Sequence, residues 1–164
     1  MNAYIFEQRI SELPVVVRRR VKWGECDPAG VVYTPAFFEH VISAFQIFME
    51  SVLGSPMQKV LAELDLNTPL RALSFDFKRS FYPDQLFDMT VYMGEMRNTT
   101  FVGEIRFSDE VGREVMAASL TAICVHYAER KSRAIPERVR ELFEAYRSRC
   151  PLPVAVRAEA GAAA

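Results

Sequence analysis

The chain is poor in the residues that specialised chemistries depend on. Its 164 residues include only three cysteines, two histidines and one tryptophan. An odd number of cysteines (Cys26, Cys124, Cys150) with no zinc-type spacing predicts reduced thiols in a cytosolic protein, and no metal. Neither sign of charge prevails: 20 basic side chains face 21 acidic ones, for a formal net charge of -1. That balance argues against a nucleic-acid binder working through bulk basic charge. No membrane span is expected, because Glu39, His40 and Glu50 interrupt the most apolar segment. The opening residues, MNAYIFEQRISEL, lack a basic stretch followed by an apolar run, so no signal peptide is expected. Also missing are a Gly-x-Ser-x-Gly elbow, a phosphate-binding loop, a dinucleotide fingerprint and a His-Glu-x-x-His pair. The missing elbow argues against serine-hydrolase chemistry, and no cofactor is expected.

What is present is a well-supplied core. Half of the residues are apolar and a quarter are charged, as in an ordinary globular domain. Leu13 to Trp23 alternates, with Val15, Val17, Val21 and Trp23 on one face and Arg18, Arg20 and Lys22 on the other, so a half-buried strand is predicted. From 35 to 53 the period becomes helical. Phe37, Val41, Ala44, Phe45, Phe48 and Val52 share a face, and Glu39, Ser43, Gln46 and Glu50 form one narrow polar stripe. A helix apolar around so much of its girth must be covered on several sides.

Four further strands supply the cover: Ala72 to Phe81, Leu86 to Met96, Thr100 to Ser108, and the nearly continuous apolar run Val115 to Tyr127. Short connections at Arg97-Asn98 and Gly112 suit antiparallel hairpins. Pro136 opens a short amphipathic helix carrying Val139, Leu142, Phe143 and Tyr146. With no repeat and no linker, residues 1–156 read as one domain, and 157–164 as a disordered tail. One curved antiparallel sheet of about five strands around one central helix is an α+β architecture, the layout of the hot-dog fold.

Between the first strand and the helix runs WGECDPAGVVYTP, Trp23 to Pro35. It places one carboxylate, Asp27, in a tight loop just ahead of a buried helix. Asp before Pro-Ala-Gly is a common turn former, and an Asp near a helix start often only caps it. On spacing alone that reading is the better one. The whole motif reverses the preference, because it closely resembles the signature of the 4-hydroxybenzoyl-CoA thioesterase family, broadly Gly-Asp-Cys-Asp-Pro-Ala-Gly-Ile-Val followed by aromatic residues and a proline. The likeness is dense over Val21 to Pro35 and looser to about Tyr127, including Phe75 to Pro83 and Arg97 to Phe101. Glu25 departs from a frequent Asp, and Thr34 from a common Tyr.

The resemblance implies hydrolysis of an acyl-CoA thioester with Asp27 as the carboxylate. It also implies substrate contacts at Gly30, Val31 and Tyr33, and a homo-oligomer, dimer or tetramer, whose sites are shared between protomers. A positioned carboxylate can attack a thioester carbonyl as a nucleophile, giving a mixed anhydride, or act as general base for water. Backbone N–H groups at a helix start can hold the developing oxyanion. Pro35 has no N–H, so the donors there belong to Thr34, Ala36 and Phe37. If Thr34 is the N-cap, its hydroxyl accepts from Ala36 or Phe37 and its own N–H is left for the thioester oxygen.

The remaining candidates are weaker. Cys26 has no histidine near it in sequence and reads as packing. His40 reads as a surface or partly buried polar contact, and His126 has no metal-like partner. Arg97, Arg130, Lys131 and Arg133 are candidate partners for the CoA phosphates. Thr99, Thr100 and Asp84 are candidate second polar groups, Asp84 being more simply a turn residue. A phenylalanine-rich interior suits a fatty tail or an aromatic, hydroxybenzoyl-like ring, on CoA or on an acyl carrier protein. A non-catalytic acyl-CoA binder is the alternative on the same fold.

Overall fold

The computed structural model describes residues 5–153; the sequence-predicted tail lies outside them. Strands β1 (Glu7–Glu12) and β2 (Val15–Arg20) form a hairpin, and a single-turn 3-10 helix follows at Trp23–Glu25. Helices α1 (Ala36–Leu53) and α2 (Met57–Glu63) come next, then β3 (Leu70–Phe77), β4 (Leu86–Met96), β5 (Thr100–Asp109), β6 (Glu114–Ile123) and α3 (Glu137–Arg149). All strands join one antiparallel sheet in the order β1-β2-β4-β5-β6-β3. Strands adjacent in the chain but at opposite sides of the sheet, β2 and β3, are linked through α1. This crossover carries α1 over the sheet face, where it packs on β2, β4 and α3. The α+β hot-dog architecture expected from the sequence is the one observed.

The alternations read from the sequence become the core. Val15 and Val17 of β2, Phe87, Met89, Val91 and Met93 of β4, and Phe101, Ile105 and Phe107 of β5 are all buried against α1 residues Phe37, Val41, Ala44, Phe45 and Phe48. At roughly 1.5–3 kcal/mol for each large apolar side chain, this interior is the main source of stability. One aromatic group gathers Phe37, Phe81, Phe87 and Phe107 near the start of α1, with Phe81 and Phe87 stacked at 4.5 Å. Another gathers Phe45, Phe48, Phe101, Phe143 and Tyr146 near its end. The Tyr146 hydroxyl donates to the Val91 carbonyl and accepts from the Val15 N–H, locking α3 onto the sheet.

Strands β3 and β6 stop at Phe77 and Ile123 rather than at the expected Phe81 and Tyr127, and four further features differ from the sequence reading. The sheet has six strands, because β1 is a strand with no clear alternation; it covers part of the polar stripe of α1 through Glu7 on Ser43 and Arg9 on Ser51. The short helix α2 carries too few periodic positions to stand out. Trp23, expected on the inner face, is 86% exposed, because the strand stops at Arg20 and the 3-10 turn breaks its alternation. By length and composition α1 does qualify as a membrane span, but it is the core helix of the fold, with Phe48, Val41 and Ala44 fully buried.

Candidate active site

The loop of residues 25–33 closes on itself like a small hairpin. The Tyr33 N–H donates to the Glu25 carbonyl, and the Asp27 N–H to the Val31 carbonyl, with Cys26 and Val32 bridged between them. The tip is a turn in which the Gly30 N–H donates to the Asp27 carbonyl. Gly30 has φ +79° there, a backbone that a side chain resists. The Val32 N–H donates to the Phe81 carbonyl, fixing the loop to the segment before β4.

Asp27 is half-buried at the foot of this turn. Its Oδ1 accepts the Ala29 N–H at 2.9 Å, an Asx turn of the kind these residues favour. The turn-forming reading of Asp27 is therefore correct as far as it goes, and it leaves Oδ2 without a hydrogen-bond partner among the described residues. The same bond that makes the turn orients the carboxylate.

The start of α1 departs from the expected cap. Pro35 holds the N-cap position and there is no side-chain cap bond, so Thr34 is not the capping residue. The early helical donors are consumed by tight turns: Ala36 donates to Tyr33, Phe37 to Thr34 and Phe38 to Pro35. The Thr34 N–H has no hydrogen-bond partner among the described residues. Of the three donors considered from sequence, it alone is left for a ligand.

Beneath the loop lies a buried ionic cluster that sequence reasoning missed. Arg19 projects inward from β2 and is 7% exposed. Its Nη1 donates to Glu7 Oε1 at 2.9 Å and its Nη2 to Glu25 Oε1. Glu7 Oε2 accepts from the Ser43 hydroxyl, and Glu25 Oε2 from the Lys22 N–H. His40, read as a surface or partly buried contact, is fully buried; its Nε2 lies 3.3 Å from Glu25 Oε1 without the alignment of a hydrogen bond. Burial first, and then the Arg19 charge, push the His40 pKa down against the pull of Glu25 and Glu7. Burial would raise Glu25, but the Lys22 N–H, Arg19 and His40 outweigh it and hold Glu25 below the usual carboxylate range. A signal for this cluster does exist in the sequence: Arg19 falls on the face of a period-two strand occupied by Val15, Val17 and Val21.

Cys26 packs against the core, and the hydrogen bond of its side chain is a 3.7 Å contact to the Lys22 carbonyl. Its thiol is raised by burial and then by Glu25, Asp27 and Asp84, the opposite of an activated nucleophile. Asp84 sits in a left-handed turn paired with Arg20. Val31 and the exposed Tyr33 flank the loop beside Gly30. Arg97 and Thr99 follow the far end of the 11-residue β4, whereas the loop is fixed to Phe81, ahead of its start. Arg97 pairs with Glu95, and Thr100 is buried at the start of β5. Arg133 binds the Leu64 and Asp65 carbonyls, Lys131 pairs with Glu129, and Arg130 occupies a turn with φ +56°, all beyond the end of β6. Within one chain these cations are not brought to Asp27. His126 pairs with Asp65, away from the loop. No group of three or more metal-ligating side chains occurs among the described residues.

A profile of the thioesterase-like superfamily matches residues 21–143, well over half of the chain. The chain belongs to this superfamily. Among its relatives, a curated Aquifex aeolicus (strain VF5) protein that carries an esterase name is 26% identical over 133 residues, 80% of this chain and 99% of that protein. Its fold is shared with a 1,4-dihydroxy-2-naphthoyl-CoA thioesterase from Synechocystis: TM-score 0.70, 21% identity, covering 78% of this chain and 93% of the other. It is shared too with a Staphylococcus aureus protein solved in complex with CoA: TM-score 0.78, 14% identity, covering 94% of this chain and 92% of the other. At these identities the likeness to the two structures is one of fold.

Proposed function

We propose that this thioesterase-like protein hydrolyses an acyl-CoA to the free acid and CoA, with Asp27 as nucleophile or general base. The observation that carries the reading is the pairing of two free groups on one closed loop. Asp27 keeps one carboxylate oxygen free while its own turn holds the other, and the Thr34 N–H is unpaired beside the start of α1. A carbonyl between them would meet an attacking oxygen on one side and an oxyanion donor on the other. As base, Asp27 takes the proton of the attacking water and returns it to the departing thiolate. As nucleophile, it displaces the CoA thiolate to form an anhydride, which water cleaves to the free acid and the restored carboxylate, the proton released going to the thiolate.

An exposed aromatic rim supports an aromatic acyl group, in keeping with the naphthoyl substrate in the name of the Synechocystis relative. Trp23, Tyr33, Phe38, Phe77 and Tyr82, on the loop or on segments packed against it, are 44–86% exposed. Exposed aromatic side chains of this size on and around the loop suit a binding or subunit interface. With the free edge of β3 it also supports a homo-oligomer, in which the distant Arg97 and Thr99 could reach a neighbour's loop. The reaction as written needs no metal or cofactor, and three free thiols fit the cytoplasm.

The test is thiol release from a panel of aromatic and fatty acyl-CoAs by the native protein and by Asp27→Asn. The amide oxygen of Asn can still accept the Ala29 N–H, so the fold is retained. Turnover should fall at least about a hundredfold, or ~2.7 kcal/mol of barrier. A variant within a few-fold of native refutes the role of Asp27. Saturable binding with no thiol release from any donor makes the protein a binder instead.

A further inference from the structure

We propose that Arg19 and Glu25 are positioning residues: their ion pair, sealed inside the fold, fixes the foot of the 25–33 loop and so the aim of Asp27. The inference rests on the role of Asp27 given above and adds the device that holds it. Glu25 ties the foot of the loop to the structure outside it and, through its backbone, to the loop's far end. Its Oε1 meets Arg19, its Oε2 accepts the Lys22 N–H at 2.9 Å, and its backbone carbonyl accepts the Tyr33 N–H from the loop's far end at 3.0 Å. Two residues on comes Asp27. Arg19 in turn is held from the other side by Glu7, itself bonded to Ser43 of α1. The chain of contacts thus ties β1, β2, the 3-10 turn and α1 to one point.

Burial makes this arrangement unusual. The Arg19 and Glu25 side chains are 8% and 15% exposed, and His40 lies over Glu25 at 3.3 Å, packed between Phe37 and Phe87. A buried ion pair is at best weakly stabilising, and apolar residues of the same size often serve stability better. What charges add at such a spot is direction. The guanidinium donates to two carboxylates at set angles, and a leucine pair would leave the loop free to slide. A misplacement of about 1 Å can cost roughly a hundredfold in turnover.

The experiment compares Glu25→Gln, Glu25→Asp and Arg19→Lys with the native enzyme, each checked for fold by circular dichroism. Trp23, the one tryptophan of the chain, opens the turn that ends in Glu25 and reports on the loop by fluorescence anisotropy decay. For Glu25→Gln, kcat should fall about ten- to a hundredfold with KM changed less than about threefold, and Trp23 should gain segmental motion. Glu25→Asp, which keeps the charge, should lie between Gln and native. A folded Glu25→Gln with kcat within twofold of native and unchanged anisotropy overturns the inference. So does a lowered Tm with kcat per folded molecule unchanged, the mark of a merely structural pair. Should Glu25→Gln not fold, Glu25→Asp and Arg19→Lys decide by the same criteria. An active Asp27→Asn would remove the catalytic reading, while the anisotropy of the Glu25 variants would still judge the anchor.

Discussion

His40→Leu should leave the protein as stable as the native chain at neutral pH, or more so, and should remove part of its acid sensitivity. Both ring nitrogens are buried, and neither has a hydrogen-bond partner among the described residues. An unsatisfied buried polar group costs about 1–3 kcal/mol, so an apolar side chain of similar size between Phe37 and Phe87 should recover part of that cost. The pH dependence has a definite sign. In the unfolded chain the imidazole takes up a proton near pH 6.5; in the fold, burial and then Arg19 hold its pKa below that. The unfolded state therefore binds more protons as the pH falls, and native stability is lost below about 6.5. The groups that face the ring are Glu25 and Glu7, which oppose this shift, and Arg19, which adds to it.

If the ring stays neutral throughout, falling from pH 7.5 to 5.5 costs about 1.4 kcal/mol. That corresponds to roughly 3–6 °C in Tm for a domain of this size. Glu25 is held below the usual carboxylate range and so releases its contribution below this window, while Glu104, pushed up by burial, is common to both proteins; the difference between their acid slopes isolates the histidine. Denaturant melts of native and His40→Leu at pH 7.5, 6.5 and 5.5 give the comparison. Equal acid slopes in the two proteins, or a loss above about 2 kcal/mol at pH 7.5, would refute the account. The second result would mean that the ring makes a bond worth more than its burial costs.

Tyr146→Phe leaves the Val15 N–H and the Val91 carbonyl without their buried partner and should cost about 1–3 kcal/mol, read from denaturant midpoints. Gly103→Ala puts a methyl 2.8 Å from the Phe45 ring in the middle of β5; overpacking of about 1–3 kcal/mol is expected, and an unchanged melt would show that Phe45 can move aside. Thr34→Ala removes a hydroxyl that caps nothing, so stability should stay within about 0.5 kcal/mol rather than fall by the ~1 kcal/mol of a lost cap. Its turnover should change little, since the group proposed to meet the substrate is the backbone N–H.

Where one physical cause dominates a segment, the sequence is easily read. β4 is bounded as its alternation predicts, because one face of every second residue is sealed by α1. α1 itself starts one residue after Pro35, where proline's fixed φ suits a helix start. β1 is illegible for the opposite reason: at the edge of the sheet most of its side chains meet solvent, so no face is selected. α2 is two turns with Val60 and Leu61 buried and Met57 packed beside the core, too short for a period to emerge.

The site divides along the same line. Asp27 is legible as a turn because its turn chemistry is local: Pro28 and Gly30 bend the chain, and the Ala29 and Gly30 N–H groups donate to Asp27 within three residues. The Arg19–Glu25–His40 cluster is not local. Its members lie 6 and 15 residues apart along the chain, and only the packing of β2 under α1 joins them. Placing Arg18, Arg20 and Lys22 on the polar face passes over the arginine between the first two, although alternation alone sets Arg19 on the inner face. An arginine there must find carboxylates or stay out of the core. Glu7 and Glu25 are those carboxylates. The exposed edge that hides β1 from pattern reading thus also brings Glu7 to Arg19, and the first strand of the fold reaches the Asp27 loop through a charge rather than through the apolar core.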